Sequence, residues 1–404
     1  MKNISIPANQ TAQSTQAKSN RFLLLALPIG HLVNDWPGAA LWILAPAIAL
    51  SMGLGPVEVG LLLTIHATGA SLAYLPAGLI GDVFRNRGNL LALTFWWVAL
   101  GYFVASGTDN FWLLAFLLGF AGLGDAAWHP WAAGVMAQQM PERRAQVIGI
   151  HALGGTFAEV GAPLCAGLLL GFFEWQTVLQ ISTIPAFIMA VIFLKYRKWV
   201  PVSQENRVTR HDLSSMVTTW LQGSSLRIIA IIVLYNMSLM GAMAMMPLYL
   251  QETHELNAAQ TGFIFAIVLA VGALIQPLLG HLSDLRGRKP VTIIGLSCAS
   301  VFFIISVFAS HLMTLVIVFV LSMSALVGIR AVLLAAMVEV SGRRESTTLG
   351  FAFAVMDGVG ALGAVLAGIA GAYELRYAFA FCAVMAVCAM ALTVLHRFSV
   401  VRSQ

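Results

Sequence analysis

Two compact charged turns, 202 residues apart, divide an otherwise apolar chain, and their recurrence constrains the fold more than any other feature. The later one reads Gly280-His-Leu-Ser-Asp284-Leu-Arg-Gly287-Arg288-Lys-Pro290, the earlier one Gly78-Leu-Ile-Gly-Asp82-Val-Phe-Arg85-Asn-Arg87. A second echo pairs Glu142-Arg143-Arg144 with Gly342-Arg343-Arg344 at an offset of 200, each followed by a Gly-rich apolar segment. Two different landmarks repeating at nearly one period predict a duplicated chain.

The apolar fraction says what is duplicated. Hydrophobic residues make up 59% of the 404 residues and charged ones 10%, against roughly a quarter charged in soluble domains. An all-α integral membrane protein is expected, with room for about twelve spans of roughly 20 to 25 residues, the length an ~30 Å bilayer core demands. Spans are predicted near 22–50, 57–81, 88–106, 111–138, 145–172, 176–197, 226–250, 258–283, 290–309, 311–338, 346–371 and 374–397. Residues 1–20, rich in Ser, Thr, Gln and Asn, are expected to form a disordered cytoplasmic tail. Residues 21–197 make a first six-helix half, 198–225 a cytoplasmic linker and 226–404 a second half. Cys165, Cys298, Cys382 and Cys388 fall in apolar runs without paired spacing, so neither a disulfide framework nor a zinc cluster is expected.

Of the 22 Lys and Arg residues, 20 fall on alternate connections or at the two ends, leaving Arg330 inside a span and Arg376 on the other side. The positive-inside rule then puts both termini in the cytoplasm, with the chain in the cell inner membrane. The same dispersal along one side, the basic face, argues against nucleic acid as the partner of the net +5 charge.

Two six-span halves, a long polar centre and a Gly-x-x-x-Asp turn after the second and eighth spans resemble the major facilitator superfamily over nearly the whole chain. The resemblance implies a twelve-helix transporter with two pseudo-symmetric halves. It also implies a conformational role for Gly78, Asp82 and Arg87, and for Gly280, Asp284, Gly287 and Arg288, in holding the halves together on the cytoplasmic side in one state. Glycine permits a tight turn there, and the Asp meets the positive end of a helix dipole. A finer likeness lies in the first half. His31-Leu-Val-Asn34-Asp35, the His129-Pro130 pair, and Gly154-Gly155 followed by Pro163 resemble the fosmidomycin-resistance branch, whose members are drug exporters. In that branch an acid and then an Arg follow the His-Pro pair, where this chain has Trp131 and Gly134.

An ionisable group at mid-membrane costs at least ~2.5 to 3.5 kcal/mol on insertion scales, so each one is a functional candidate. Asp35, Asp125, Glu159, Arg330 and Asp357 stand 13 to 18 residues from the nearest basic residue of the basic face, which is roughly 20 to 27 Å along a helix. They form one layer near the midplane, joined by His66, on spans one, two, four, five, ten and eleven. Spans three, six, nine and twelve carry none, a division that separates cavity-lining helices from supporting ones. His31 and Asp35 are four residues apart, as are Asp125 and His129, while His151 and Glu159 are eight apart. Each spacing shares a helix face, which suits a proton relay. Asp35, Asp125, Glu159, His31, His129 and His151 are therefore the candidate proton-coupling groups. Each His taken alone also fits a satisfied buried histidine. Nothing fixes a coordination number for a metal, so no metal site and no cofactor are assigned.

Arg330 suits a carboxylate or phosphonate, gripped by two donors of one guanidinium, and is equally able to neutralise Asp357 at matching depth. Span seven carries Met237, Met240, Met243, Met245 and Met246 with Tyr235 and Asn236, either a wall for an amphiphilic substrate or a structural stripe. Trp36, Trp128 and Trp131 offer an aromatic wall opposite. Candidate substrate-binding residues are Arg330, Asp357, Asn34, Trp36, His66, Trp128, Trp131, Tyr235, Asn236 and Met240.

No His-Glu-x-x-His, Gly-x-Ser-x-Gly or phosphate-cradling Gly-Lys motif occurs, so no enzyme is expected and an ion gradient is the energy source. The expected function is proton-coupled transport of a small amphiphilic or anionic organic compound by alternating access, as a monomer and in the direction of efflux. Uptake of a carboxylated metabolite or siderophore would use the same layer. A membrane enzyme or receptor without transport is the third class.

Overall fold

In the lipid interior no water serves backbone N–H and C=O groups, so each apolar run closes its hydrogen bonds within itself as a helix. The computed structural model describes residues 8–139, 144–202, 218, 220–341, 345–396 and 398. The first half comprises α1 (Ala8–Met52), α2 (Pro56–Val83), α3 (Arg87–Ala105), α4 (Phe111–Gln139), α5 (Arg144–Leu169) and α6 (Trp175–Tyr196). The second comprises α7 (Gly223–His254), α8 (Ala258–Arg286), α9 (Arg288–Phe308), α10 (Leu312–Ser341), a broken eleventh span and α13 (Tyr377–Leu395). The broken span is α11 (Glu345–Val355), a π-helical turn (Met356–Gly360) and α12 (Leu362–Gly371). There are 12 helical spans long and apolar enough to cross a membrane, and no strand among the described residues. The protein is an all-helical, multi-pass membrane protein.

The predicted spans agree with these helices to within a few residues except at the start. α1 begins at Ala8, so most of the stretch expected to be a disordered tail is helical. Its composition cannot bury a core, but extending a helix already nucleated in the membrane requires only residues that tolerate helix. Residues 8 to 21 contain neither Pro nor Gly. Most of the central linker, residues 203–217, lies outside the described residues.

α3, α6, α9 and α13 make their principal contacts inside their own half, whereas the halves meet along two seams, α5 on α8 and α2 on the broken span. Both seams are tightest away from the basic face. Gly60 lies against the backbone of Ala364, Gly368 against Pro56, Gly167 against Ala258 and Gly262 against Pro163, and a Cβ at any of these would overlap backbone. Toward the basic face the seams part. A Cβ added at Gly78, Gly149, Gly280 or Gly350 would meet nothing within 4 Å. Among the described residues the halves are in backbone contact at the opposite face and leave open space at these glycines toward the basic one.

The charged turns differ from expectation in one respect. α8 runs on through Gly280 to Arg286, Gly287 takes φ +89°, and α9 starts at Arg288. Gly280 sits inside a helix because the reversal after α8 needs only one residue of positive φ and Gly287 supplies it; Gly78 likewise lies inside α2, and the turn that follows, with Phe84 at φ −80° and Asn86 at φ −97°, reverses without a positive φ. Asp284 makes no cap on α9. It pairs with Arg288, which also reaches Ser283 and, at 3.0 Å, Glu339 Oε1 on α10. In the first copy Arg87 opens α3 and its Nε donates to the Gly81 carbonyl at 3.3 Å, while the Asp82 side chain lies outside the described residues.

Candidate functional site

His31 and Asp35 stand one turn apart on α1 and so share a face. His31 Nε2 lies 3.1 Å from Asp35 Oδ2, and His31 Nδ1 lies 2.9 Å from the backbone carbonyl oxygen of His151 on α5. A carbonyl cannot donate, so Nδ1 carries a hydrogen. Nε2 then faces a carboxylate oxygen, and two lone pairs at that distance repel unless a proton lies between them. This geometry suits a proton shared between the imidazole and the carboxylate. His151 completes the cradle by donating from Nδ1 to the Leu27 carbonyl at 3.2 Å and stacking on His31, ring centroids 4.3 Å apart. Gly155 makes the fit possible, since a Cβ there would stand 2.7 Å from His31 Nε2.

His129, on α4, turns to Asp35 and not to Asp125. Its Nε2 lies 3.8 Å from Asp35 Oδ1, and the donor atoms of His31, Asp35 and His129 fall within 4.8 Å of one another. The expected pairing of Asp125 with His129 is thus replaced. A four-residue spacing brings two side chains to one face, but α1 packs on that face and its groups compete for both. Asn34 takes Asp125, donating from Nδ2 to its Oδ1, to its backbone oxygen at 3.0 Å, and also to Asp35 Oδ1 at 3.3 Å. One amide thereby bridges two carboxylates. Beyond Asp125, Gly38 leaves room for Asp125 Oδ2 and the Tyr102 hydroxyl, each 3.1 Å from where its Cβ would stand. Tyr102 in turn lies 2.6 Å from His66 Nε2, which places His66 beside the network.

On the other side of the layer Arg330 Nη1 lies 3.5 Å from Glu159 Oε1, an ion pair between the halves whose side chains are 29% and 47% exposed. Arg330 does not pair with Asp357, and Glu159 faces the second half, away from His151. Asp357 Oδ2 accepts from the Tyr74 hydroxyl of α2 at 2.7 Å. Asp357 sits in the π-helical turn, where the widened helix changes the direction its side chains take. Two neighbours hold the turn. Asn236 Nδ2 donates to the Met356 carbonyl at 2.7 Å, and Thr64 Oγ1 to that of Ala361 at 2.9 Å.

Several residues expected to line the cavity do not. Trp128 is fully buried against Phe95 and Phe193, at centroid distances of 4.7 and 5.9 Å. Trp131 donates its Nε1–H to the Ala77 carbonyl at 2.6 Å, and buried Tyr235 gives its hydroxyl to the Leu326 carbonyl at 3.0 Å. Trp131 and Tyr235 are thus drawn into the packing by backbone acceptors, whereas Trp128, whose Nε1 has no partner among the described residues, is held there by its aromatic neighbours. Met243, Met245 and Met246 belong to the core, while Met240 and Trp36 remain half-buried, Trp36 against Gly161. A cavity of about 770 Å³ at the opposite face, bordered by Leu50, Phe172 and Gln251, contains none of the charged layer.

Tyr74, Tyr102 and Glu339 were not anticipated. The tyrosines carry no insertion penalty that marks them. The signal that would have found Tyr74 is its spacing of eight residues from His66, two turns along one face of α2.

Twelve spans in two halves, meeting around a layer of charge, define a membrane transporter of the carrier type. The model of the Major Facilitator Superfamily matches residues 28–280 and 228–402, and the chain belongs to that family. It is 23% identical over 374 residues to the fosmidomycin resistance protein of Escherichia coli (strain K12), covering 90% of this chain and 89% of that one. It is 26% identical over 342 residues to a "Probable 4-methylmuconolactone transporter" of Cupriavidus pinatubonensis, covering 81% and 78%. Among solved structures, a bacterial homolog of the human lysosomal transporter Spinster, in an inward-facing and occupied conformation, aligns with a TM-score of 0.79 at 18% identity, covering 93% of this chain and 96% of that one.

Proposed function

We propose that this transporter moves a small anionic or amphiphilic organic compound out of the cell in exchange for protons, by alternating access between its two halves. The observation that carries the reading is the 3.1 Å approach of His31 Nε2 to Asp35 Oδ2 with His31 Nδ1 against the His151 carbonyl, a geometry that suits a proton shared by the pair. A proton held at mid-depth in a cavity open to one side exchanges with the water of that side only. Switching the opening then carries it across. Asp125, tied to Asp35 through Asn34, lets the charge of one carboxylate act on the other.

The anionic part rests on Arg330. Its one ion-pair partner among the described residues is Glu159, at 3.5 Å, which leaves further donors of the guanidinium for a carboxylate or phosphonate. Likeness to the fosmidomycin resistance protein over nine tenths of the chain supports efflux. The distribution of Lys and Arg supports cytoplasmic termini in the inner membrane, so the present opening faces the cytoplasm, the side where cargo for export binds. Each half contributes to one layer, so a monomer suffices.

The test is transport of candidate carboxylates and phosphonates into everted and right-side-out vesicles under an imposed pH gradient. Accumulation in everted vesicles that are acid inside, lost on adding a protonophore, is the expected result. No gradient-driven flux in either orientation overturns the reading.

A further inference from the structure

The seam between α2 and the broken span ends in a contact for which the roles above have no use. From the opposite face inward, Pro56 meets Gly368, Gly60 meets Ala364, Thr64 bonds Ala361, and Gly358 stands beside Ser71. Tyr74, bonded to Asp357, comes last. Past it α11 still packs on α2, but Gly78 and Gly350 have open space, and among the described residues this is the last hydrogen bond of the seam toward the basic face. The Tyr74 ring lies 6.2 Å from that of His129 and 5.8 Å from that of Phe353, centroid to centroid. The groups within electrostatic reach of the pair are Asp35 on α1, Asp125 and His129 on α4, Glu159 on α5 and Arg330 on α10.

We propose that Tyr74 is a positioning residue that keeps Asp357 away from Arg330 while the basic face is open, and releases it when the seam parts. With Tyr74 donating to Asp357, the carboxylate is occupied and Arg330 is left to Glu159 or to an anionic cargo. Opening of the opposite face separates α2 from the broken span and breaks the bond. Asp357 then accepts from Arg330 in place of the phenol, competes with the cargo, and drives release on that side. No covalent bond changes: one carboxylate oxygen exchanges a phenolic donor for a guanidinium donor. The ring of Tyr74 beside His129 gives the proton site of the first half a direct contact with this rung. The inference rests on the anion-binding and proton-coupling reading above, and makes the Asp357–Arg330 pair a property of the second state.

Conformation can be read without a known cargo. The four cysteines are replaced by serine and spin labels attached at Gly149→Cys on α5 and Gly350→Cys on α11, both with open surroundings at the basic face. Label distances are measured in proteoliposomes at several pH values. Hydrogen bonds inside a bilayer are worth about 0.6 kcal/mol on average and up to ~1.7, so Tyr74→Phe is expected to lower the ratio of basic-face-open to closed molecules by roughly three-fold or more. It should also flatten the pH response of that ratio, a change that loss of packing alone would not bring. Asp357→Asn keeps an acceptor for the phenol but gives up the charge that would pair with Arg330 in the second state, so it is expected to raise the ratio. Asp357→Ala loses both contacts, and adding Tyr74→Phe to it changes nothing further, since the phenol has no acceptor left to lose. A Tyr74→Phe distribution and pH response equal to the parent's, or additive effects in the double variant, overturns the inference alone, provided Asp35→Asn removes the parent's pH response. A parent whose distances ignore pH overturns the proton-coupled reading and this inference with it.

Discussion

His31 is committed to Asp35 through Nε2 because its other nitrogen is already spent on the carbonyl of His151. That double engagement turns a common spacing, two residues one helical turn apart, into a geometry suited to sharing a proton. The stacked His151 ring and the Leu27 carbonyl behind it hold the imidazole in register, so the shared proton depends on three side chains and two helices.

Asp35→Asn is expected to abolish accumulation driven by a pH gradient while leaving exchange at equal pH partly intact. The amide keeps the volume and can accept from His31, but cannot hold a titrating proton. His31→Gln should behave alike. Both are measured by comparing gradient-driven uptake with counterflow in the same proteoliposomes, and an unchanged pH dependence in both variants removes the pair from the mechanism.

Asp125→Asn should have a milder effect than Asp35→Asn. Among the described residues no imidazole is hydrogen-bonded to Asp125, which shares the Asn34 amide with Asp35. The expected outcome is a shifted pH profile with gradient-driven transport retained. Complete loss of coupling in Asp125→Asn with full coupling in Asp35→Asn would reverse the assignment.

How far the sequence spoke follows from what membrane physics makes visible. A charge in lipid is costly enough to stand out in a one-dimensional string, so Asp35, Asp125, Glu159, Arg330 and Asp357 could be picked out and their common depth counted from the basic residues. Which of them meet is decided by the rotation of one helix against another. That is why His129 was expected on Asp125 and lies on Asp35, and why Arg330 faces Glu159 across the halves and not Asp357. The π-helical turn at Met356–Gly360 shifts the periodicity on which such counting depends, and its supports, Asn236 and Thr64, act through backbone carbonyls that no pattern displays. Trp128 and Trp131 illustrate the same limit: aromatic content was legible, but not which side of α4 the core would claim.

In the turn between α8 and α9, Glu339 should matter more than Asp284. Both pair with Arg288, but the Asp284 side chain is 62% exposed, where an ion pair is worth ~0 to 1 kcal/mol. The side chains of Arg288 and Glu339 are 15% and 19% exposed, and loss of a charged hydrogen bond there costs about 1.5 to 3 kcal/mol. Thermal unfolding in detergent should show a clear drop for Glu339→Ala and little change for Asp284→Asn. The opposite order would mean that the family turn stabilises through Asp284 by a route other than this pair.

Gly60→Leu and Gly167→Leu should each keep the opposite face from closing, because a side chain at either position would run into the backbone of the other half. Overpacking of about 1 to 3 kcal/mol moves a two-state balance roughly five- to a hundred-fold. Single cysteines near Leu50 should become more reactive to a membrane-impermeant maleimide, and one at Gly149 less so. Unchanged reactivity at both sites, in protein that elutes as a folded monodisperse species, would show that the seams are not the closure.

The role of Arg330 separates cleanly in a set of paired substitutions. If the guanidinium grips an anion, Arg330→Lys should weaken cargo binding although the charge remains, because an ammonium cannot reproduce a two-pronged contact. The loss should be roughly ten- to a hundred-fold, the equivalent of a charged hydrogen bond. If Arg330 serves only to bind the halves through Glu159, removing either partner leaves an unpaired charge inside the membrane, and the double variant Arg330→Gln with Glu159→Gln should recover both folded yield and transport. Glu159, with nearly half of its side chain exposed, is the more dispensable partner, so Glu159→Gln alone is expected to fold normally and to bind anionic cargo at least as tightly as the parent, the competing carboxylate being gone. A double variant that folds, transports and binds like the parent would remove Arg330 from cargo recognition, and with it the case for an anionic substrate.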